Sequence, residues 1–309
     1  MPHFTAELVP AMVTPFHRDG SVDFEKLELM ALYLIENGCD GLLVNGTTGE
    51  APTLGFDEKT EILRAVKKAI SGQKMSDGRQ IPIMSGVGSN DTKKSVEEAK
   101  KIAAIGVDAL LVVVPYYNKP SQRGMIAHFS QIAQAVPDTE IVIYNIPGRC
   151  GVLMSADTML ELHRTCPNII GVKQSLNDMD ALSEITAKLS ANTWLTWCGD
   201  DSLTVPMIAC GAHGTISVSA HLVGSMMREM IQAAKAGDRQ KALGLHVKLL
   251  HINREIFFLP NPTVLKTCLA RLGLLELSFR APMIEPDDEE MRRIEKLLAD
   301  YKSLLPQRV

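Results

Sequence analysis

The 309-residue chain has little of what marks several large classes of protein. Its six cysteines (39, 150, 166, 198, 210 and 268) are scattered, without a Cys-x-x-Cys pair or a Cys/His cluster at zinc spacing. No apolar run approaches the about 20 residues that span a bilayer, and the first residues lack the basic segment and apolar stretch of a signal peptide. We therefore expect reduced thiols, no metal site and a cytoplasmic protein.

Basic residues are not in excess either. The formal net charge is −4, the isoelectric point is near 6.1 and no basic run is present, which argues against a nucleic-acid partner. Neither a dinucleotide fingerprint nor a phosphate-binding P-loop motif occurs. The hydrophobic fraction of 46% and charged fraction of 22% are those of an ordinary globular protein. We expect small-molecule substrates and no membrane or nucleic-acid partner.

Short apolar runs alternate with amphipathic segments along the chain, which is the pattern of βα units. The predicted strands begin near Leu8, Gly41, Ile81, Ala109, Glu140, Ile169, Trp194 and Gly214. Eight such units fit a (β/α)8 TIM barrel better than a doubly wound sheet, which has five or six strands more often.

Helix signals lie between these runs. Ser21 is predicted to cap a helix that ends at Gly38. Asn90 or Asp91 is predicted to cap a second helix, which ends at Gly106. We assign residues 1–235 to the barrel that carries the active site and residues 236–309 to a helical extension packed on it. Three groups of periodic apolar positions predict the helices of this extension: Leu243, Val247, Leu250; Val264, Leu265, Cys268, Leu269; and Met291, Ile294, Leu297, Leu298. Asn261-Pro262 marks a turn between two of them.

Lys173 is the most informative residue, because it follows the apolar run 169–172 where a strand points its next side chain into a core. An unpaired ammonium is costly there. A lysine in this place is either paired with a carboxylate or held neutral as a nucleophile that forms a Schiff base with a carbonyl. Taken alone, a strand-end lysine that reaches solvent is the commoner case, and the other residues reverse that preference.

Further polar groups follow the predicted strands, at the ends where a TIM barrel holds its catalytic groups. They are Asn45-Gly46-Thr47-Thr48-Gly49-Glu50, Pro115-Tyr116-Tyr117-Asn118, Tyr144-Asn145-Ile146-Pro147-Gly148-Arg149, Gly199-Asp200-Asp201 and Gly214-Thr215-Ile216-Ser217.

Each of these groups has a functional and a structural interpretation. The glycine-flanked threonines suit a carboxylate cradle or a plain turn. The tyrosines suit proton relay or core packing. Arg149 suits a second carboxylate or a surface salt bridge. Asp200 and Asp201 are expected to cap a helix rather than to bind a metal, and His213 and His221 are expected to be structural.

Together these residues resemble a known family, the Schiff-base-forming class I pyruvate aldolases of the dihydrodipicolinate synthase and N-acetylneuraminate lyase superfamily. The resemblance runs along essentially the whole chain, through Val13-Thr14-Pro15-Phe16, GTTGE, PYYNKPSQ, YNIPGRCG, the lysine of the sixth strand, GDD, GAHGTISV and Asn261-Pro262.

The resemblance implies a role for each site residue. Lys173 would form the imine with pyruvate, and Tyr144 would move protons at the imine carbon. Thr47 and Thr48 would hold the pyruvate carboxylate, with Gly199 and Ile216 lining the pocket. Tyr117 would complete a relay with Thr47 and Tyr144 by reaching in from a neighbouring subunit of a homotetramer, a dimer of tight dimers. No metal, flavin or nicotinamide is implied.

Two residues favour the synthases of this superfamily, which condense pyruvate with aspartate semialdehyde in lysine and diaminopimelate biosynthesis. Thr47 stands where sialic-acid lyases have serine, and Arg149 stands where synthases bind the carboxylate of the semialdehyde. One segment departs, because Gln174-Ser175-Leu176-Asn177-Asp178 replaces a usual Glu-Ala start. The alternatives are an aldolase or dehydratase for a 2-keto-3-deoxy acid or 4-hydroxy-2-oxoglutarate, and a non-catalytic sensor of keto acids.

The resemblance also implies that lysine, the feedback inhibitor of many such synthases, inhibits this one weakly. Regulated members use a serine, a histidine and a glutamate where this chain has Ala51, Lys59 and Lys94. Asn90 and Tyr116 are retained, so we expect a vestigial inhibitor site.

Overall fold

The computed structural model describes residues 1–75 and 77–305. Strands and helices alternate along the chain. The strands are β1 (Leu8–Pro10), β2 (Leu42–Val44), β3 (Ile83–Val87), β4 (Ala109–Val113), β5 (Glu140–Asn145), β6 (Ile169–Gln174), β7 (Leu195–Cys198) and β8 (Gly214–Ser217). Each begins within two residues of its predicted start.

The helices between and after the strands have these bounds: α1 (Phe24–Glu36), α2 (Phe56–Ala69), α3 (Thr92–Ala103), α4 (Gln122–Ala135), α5 (Pro147–Cys150), α6 (Ala156–Thr165), α7 (Met179–Lys188), α8 (Thr204–Ala209), α9 (Ala220–Lys235), α10 (Arg239–Glu255), α11 (Thr263–Arg271) and α12 (Asp288–Tyr301). The strands form one sheet in the order β1-β8-β7-β6-β5-β4-β3-β2. This is the strand order of a (β/α)8 barrel, so the predicted fold class is confirmed.

The residue contacts group the chain into two compact units, the first made of residues 1–7 and 82–216. It contains β3 to β7 and most of β8, paired in parallel with their neighbours. Nearly every strand residue is buried, as in a parallel sheet covered on both faces. Gly171 is required by close approach, because a Cβ there would lie 2.0 Å from the Leu195 carbonyl oxygen of β7.

The second unit is made of residues 8–81 and 217–309. It contains β1, β2, the two helices that follow them, and α9 to α12. The segment after β1 runs parallel to β2, with the Met12 N–H donating to the Leu43 carbonyl at 2.8 Å. Helices pack in pairs within this unit: α1 with α2, α9 with α10, and α11 with α12.

Two predicted helix starts have different outcomes. The prediction that Ser21 caps α1 is wrong, because Asp23 accepts the cap hydrogen bond from the Lys26 N–H. Asp91 rather than Asn90 caps α3, by accepting from the Lys94 N–H. A carboxylate two residues nearer the first helical turn reaches its free N–H groups, which a hydroxyl at position 21 does not.

The predicted inward face of α10 is wrong. Leu243 and Val247 are exposed, whereas Ala242, Leu249 and Ile252 are buried. The helix is therefore turned by about one residue relative to the prediction, and small or aliphatic side chains on the neighbouring row pack inward.

The predicted apolar positions of α11, Val264, Leu265, Cys268 and Leu269, are all buried. Of those on α12, Ile294 and Leu297 are buried, whereas Met291 and Leu298 are half-buried. The predicted boundary at residue 235 coincides with the last residue of α9. The division of the chain into a barrel domain and an extension stays a prediction. In the described ranges 1–75 and 77–305, no helix is both long and apolar enough to cross a membrane.

Candidate active site

Lys173 and Tyr144 lie side by side at the carboxyl ends of β6 and β5. They are direct partners in the strand register, and the Lys173 Nζ lies 4.5 Å from the centroid of the Tyr144 ring. Lys173 is only 5% exposed and Tyr144 8%. No carboxylate in the described part of the chain forms an ion pair with this amine. Of the two interpretations of a buried lysine, the ion pair is therefore not observed among the described residues.

Gly199 makes room for this lysine. A Cβ at position 199 would lie 3.0 Å from the Lys173 Cε and 1.9 Å from the Ser175 Oγ. Position 199, directly after β7, therefore requires glycine, because a larger residue would collide with the side chains of Lys173 and Ser175. Ile216 on β8 is 1% exposed and belongs to the core of the same unit.

The segment that departs from the usual synthase pattern follows Lys173. The Gln174 Oε1 accepts from the Asn145 Nδ2 at 3.0 Å, and the Asn145 Oδ1 accepts from the Met154 N–H at 3.1 Å. Ser175 differs, because its Oγ is buried and makes no hydrogen bond with any residue that the structure describes. Gln174 is thus a structural link, whereas Ser175 presents a free hydroxyl beside Gly199.

Arg149 is exposed on the short helix α5. It forms no ion pair with the residues of ranges 1–75 and 77–305, so a surface salt bridge, the competing interpretation, is not observed. Its guanidinium is free to bind a carboxylate from outside the chain.

Tyr117 does not join the buried lysine and tyrosine of its own chain, because 86% of its surface is exposed in the loop after β4. Its φ is 70°, a left-handed value that is uncommon for a bulky residue, and its N–H donates to the Cys150 carbonyl at 3.3 Å. The ring of Tyr117 is thus held in a defined turn and open to contact from outside the chain.

The two threonines lie in the second unit, in a loop that we call the threonine loop (residues 45–50), directly after β2. Both end residues of this loop are left-handed, with φ of 56° at Asn45 and 54° at Glu50. Thr47 is half-buried and Thr48 is 2% exposed. The Thr48 Oγ1 accepts a hydrogen bond from the Asn261 Nδ2 at 2.9 Å.

A buried ion pair holds the end of the threonine loop. The Lys266 Nζ of α11 lies 2.7 Å from the Glu50 Oε1, and both side chains are almost completely inaccessible. Burial lowers the pKa of Lys266, while Glu50 opposes that shift. The other Glu50 oxygen accepts from the Arg280 N–H at 3.0 Å. Sequence reasoning missed this pair, although a lysine amid Val264, Leu265, Cys268 and Leu269 was a signal for it.

The residues of the expected inhibitor site fall in three places. Ala51 begins a short 3-10 turn and Lys59 lies on α2. Asn90 precedes α3, and its carbonyl accepts from the Asn118 Nδ2 at 3.0 Å. Lys94 lies on α3 with its Nζ 3.9 Å from the Asp91 carboxylate, and Tyr116 is 39% exposed.

Asp200 and His221 make contacts within the chain. The Asp200 Oδ1 accepts from the Ser202 N–H at 3.0 Å and so caps the turn that follows β7. His221 is fully buried with its Nδ1 2.9 Å from the Val218 carbonyl, and burial lowers its pKa to about 4. Within residues 1–75 and 77–305, no three His, Cys, Asp or Glu side chains are grouped to hold a metal ion.

These features define a class: a (β/α)8-barrel enzyme that carries a buried amine against a tyrosine for work on carbonyl compounds. The family model described as the dihydrodipicolinate synthetase family matches residues 5–301. The chain therefore belongs to the dihydrodipicolinate synthetase family.

Individual relatives agree with this assignment, and the matches cover 96% or more of each of those proteins. A 4-hydroxy-tetrahydrodipicolinate synthase of Thermosynechococcus vestitus is 39% identical over 293 residues, which cover 95% of this chain and 96% of that protein. The crystal structure of dihydrodipicolinate synthase from Aquifex aeolicus is 39% identical with a TM-score of 0.91, covering 98% of this chain and 100% of that one. The enzyme from Cyanidioschyzon merolae with lysine bound is 35% identical with a TM-score of 0.92, covering 97% and 99%.

Proposed function

We propose that the protein condenses pyruvate with L-aspartate 4-semialdehyde to give 4-hydroxy-tetrahydrodipicolinate, in the biosynthesis of lysine and diaminopimelate. It is a lyase of the family named above, and the observation that carries the proposal is Lys173. This amine is buried, has no carboxylate partner among the described residues, and lies against Tyr144. A buried, unpaired amine is suited to attack a ketone in its neutral form.

The first half of the proposed reaction activates pyruvate. The nitrogen of Lys173 adds to the ketone carbon, and loss of water leaves the imine. The imine then loses a proton from the pyruvate methyl group and becomes an enamine. The Tyr144 hydroxyl is the proposed carrier for these protons, because its ring lies against the lysine amine. No metal, flavin or nicotinamide is needed for these steps.

The second half joins the acceptor. The enamine carbon attacks the aldehyde carbon of the semialdehyde, which forms the new C–C bond and restores the imine. The amino group of the acceptor then attacks the imine carbon and displaces the nitrogen of Lys173, which closes the ring and frees the enzyme. We assign the acceptor carboxylate to Arg149, whose exposed guanidinium has no ion-pair partner in ranges 1–75 and 77–305.

The remaining roles follow the family resemblance. We assign the pyruvate carboxylate to Thr47 and Thr48, and the lining of the pyruvate pocket to Gly199 and Ile216. Tyr117 would act with Thr47 and Tyr144 from a neighbouring subunit of a cytoplasmic homotetramer. The 86% exposure of Tyr117 supports that assignment, since a ring that serves another protomer is exposed in its own.

A specific observation favours a second candidate function. The Ser175 Oγ is buried beside Gly199 and has no hydrogen-bond partner in the part of the chain that the structure describes. A hydroxyl of a 2-keto-3-deoxy acid or of 4-hydroxy-2-oxoglutarate would satisfy it. An aldolase or dehydratase for such an acid would use the same Lys173 imine.

Two measurements test the proposal. Incubation with pyruvate and borohydride is expected to trap an adduct on Lys173 alone, and Lys173→Arg is expected to abolish it, whereas Lys188→Arg on the exposed face of α7 leaves it unchanged. An adduct on another lysine, or none, contradicts the imine. A coupled assay with pyruvate and aspartate semialdehyde, run beside a panel of other aldehydes, then identifies the acceptor. Faster turnover of another aldehyde would favour the second function.

A further inference from the structure

The hydroxyl of Thr48 has one hydrogen-bond partner among residues 1–75 and 77–305, the side-chain amide of Asn261. The amide nitrogen donates and the Thr48 Oγ1 accepts, at 2.9 Å. A hydroxyl carries a single hydrogen and two lone pairs. Because one lone pair is taken by the amide, the hydrogen of Thr48 is directed away from Asn261 and is available to an acceptor outside the chain.

Asn261 is held in place by the segment that follows it. Five residues further on, Lys266 pairs with Glu50, and the Arg280 N–H donates to the same carboxylate. These bonds tie the segment 261–280 to the far end of the threonine loop. Left-handed residues such as Asn45 and Glu50 persist only where the surroundings over-determine the backbone. The position of Thr48 against Asn261 is therefore fixed from both sides.

We propose that Asn261 is a positioning residue that aims the Thr48 hydroxyl at the carboxylate of the keto-acid substrate. This inference rests on the proposed function, in which Thr48 binds that carboxylate. By donating to one lone pair of the Thr48 Oγ1, the amide fixes the direction in which the hydroxyl hydrogen points, so that the hydroxyl meets an anion as a donor. A hydroxyl that rotates freely would also populate orientations in which its hydrogen does not point at the substrate.

The proposal predicts an unusual order of effects for two variants. In Asn261→Asp the new side chain has nearly the same shape but only accepts, so the Thr48 hydrogen turns toward it and away from the substrate. We expect the pyruvate concentration for half-maximal imine trapping to rise about 30-fold, as when a hydrogen bond to a charged group is lost. In Asn261→Ala the hydroxyl rotates freely and still reaches the substrate, so we expect a rise of only about 3-fold.

A purely structural asparagine would give the reverse order, because aspartate preserves the packing that alanine removes. An equal or smaller effect of Asn261→Asp than of Asn261→Ala would therefore overturn the proposal. A small effect of Asn261→Asp would mean that Thr48 donates to the amide oxygen, since aspartate then replaces that oxygen without loss.

Combining each change with Thr48→Val separates aiming from simple charge repulsion. If Asn261→Asp acts through the Thr48 hydrogen, the double variant should need nearly the same half-maximal pyruvate concentration as Thr48→Val alone. If the effects multiply fully, the new carboxylate acts directly on the substrate and the proposal fails.

Asn168→Asp is the matched control. Among the described residues, the Asn168 amide donates only to backbone carbonyls, those of Ala133, Val136 and Thr139. The same chemical change there is expected to lower thermal stability and to leave the half-maximal pyruvate concentration unchanged. Failure of the proposed function is distinguishable: without the imine the wild-type protein would trap no pyruvate at all, and with a different acceptor only the coupled assay would fail.

Discussion

Glu50→Gln removes the charge that faces the most deeply buried ammonium group of the described chain, that of Lys266. The pair is 2.7 Å apart and both side chains are nearly inaccessible. The glutamine oxygen can still accept from the Arg280 N–H, which leaves its NH₂ group against the lysine. Removing one partner of a buried pair costs about 3 to 5 kcal/mol. Out of a usual total of roughly 5 to 15 kcal/mol, this is a large loss. The ring of Phe16, whose centroid lies 4.3 Å from the Lys266 Nζ, offsets a part of this loss.

The cost of Glu50→Gln is expected to depend on pH. Burial lowers the folded-state pKa of Lys266 below its unfolded value, and Glu50 opposes that shift. Without Glu50 the folded pKa falls further, so unfolding of the variant takes up a proton over a wider pH range. Stability rises with pH wherever the unfolded state binds more protons, by up to about 1.4 kcal/mol per pH unit. The destabilisation should therefore shrink as the pH rises toward the wild-type folded pKa.

Urea unfolding of both proteins between pH 7 and 9.5 measures this effect, and borohydride trapping of pyruvate checks that the native state is intact. Glu184→Gln is the matched control, because its partner Lys188 lies 2.6 Å away but both side chains are about half exposed. It should leave the free energy of unfolding nearly unchanged. Adding Lys266→Met to Glu50→Gln should recover most of the lost stability, since no buried charge then remains. A cost below about 1 kcal/mol for Glu50→Gln, or one independent of pH, would refute the reasoning.

Three further predictions concern the site. Arg149→Ala should lower turnover with aspartate semialdehyde by tens of fold, about 2 kcal/mol or more, while pyruvate trapping stays near normal; an equal loss in both assays would make the arginine structural. Free lysine should inhibit the coupled assay weakly, because Lys59 and Lys94 replace residues that hold its amino groups in regulated synthases; half-inhibition below about 1 mM in a titration would contradict this. Gly199→Ala should slow imine trapping about 10-fold or more, because the new Cβ would lie 3.0 Å from the Lys173 Cε; a rate equal to wild type would show that the lysine gives way freely.

Much of the architecture is readable in the sequence, because local patterns carry it. Buried parallel strands require short continuous apolar runs, so all eight were found within two residues of their starts. The position of Lys173 after such a run drew attention to it, and the motifs after the other strands made it the predicted nucleophile. The buried face of α10 was misjudged because its apolar residues lie on adjoining rows, and the sequence does not indicate which row faces the core. In the structure Ala242 and Leu249 are buried, and Leu243 and Val247 are exposed.

Other features depend on groups far apart in the chain, and only the tertiary structure decided them. The sequence determined that a lysine lies near the end of the sixth strand, but not that Tyr144 is its register partner or that no carboxylate of the described residues pairs with it. The pairing of Glu50 with Lys266 and of Thr48 with Asn261 joins residues more than 200 positions apart. Periodicity reports which side chains are buried, whereas partner choice inside a core is set by which elements pack together. That information lies in the fold and not in any local segment.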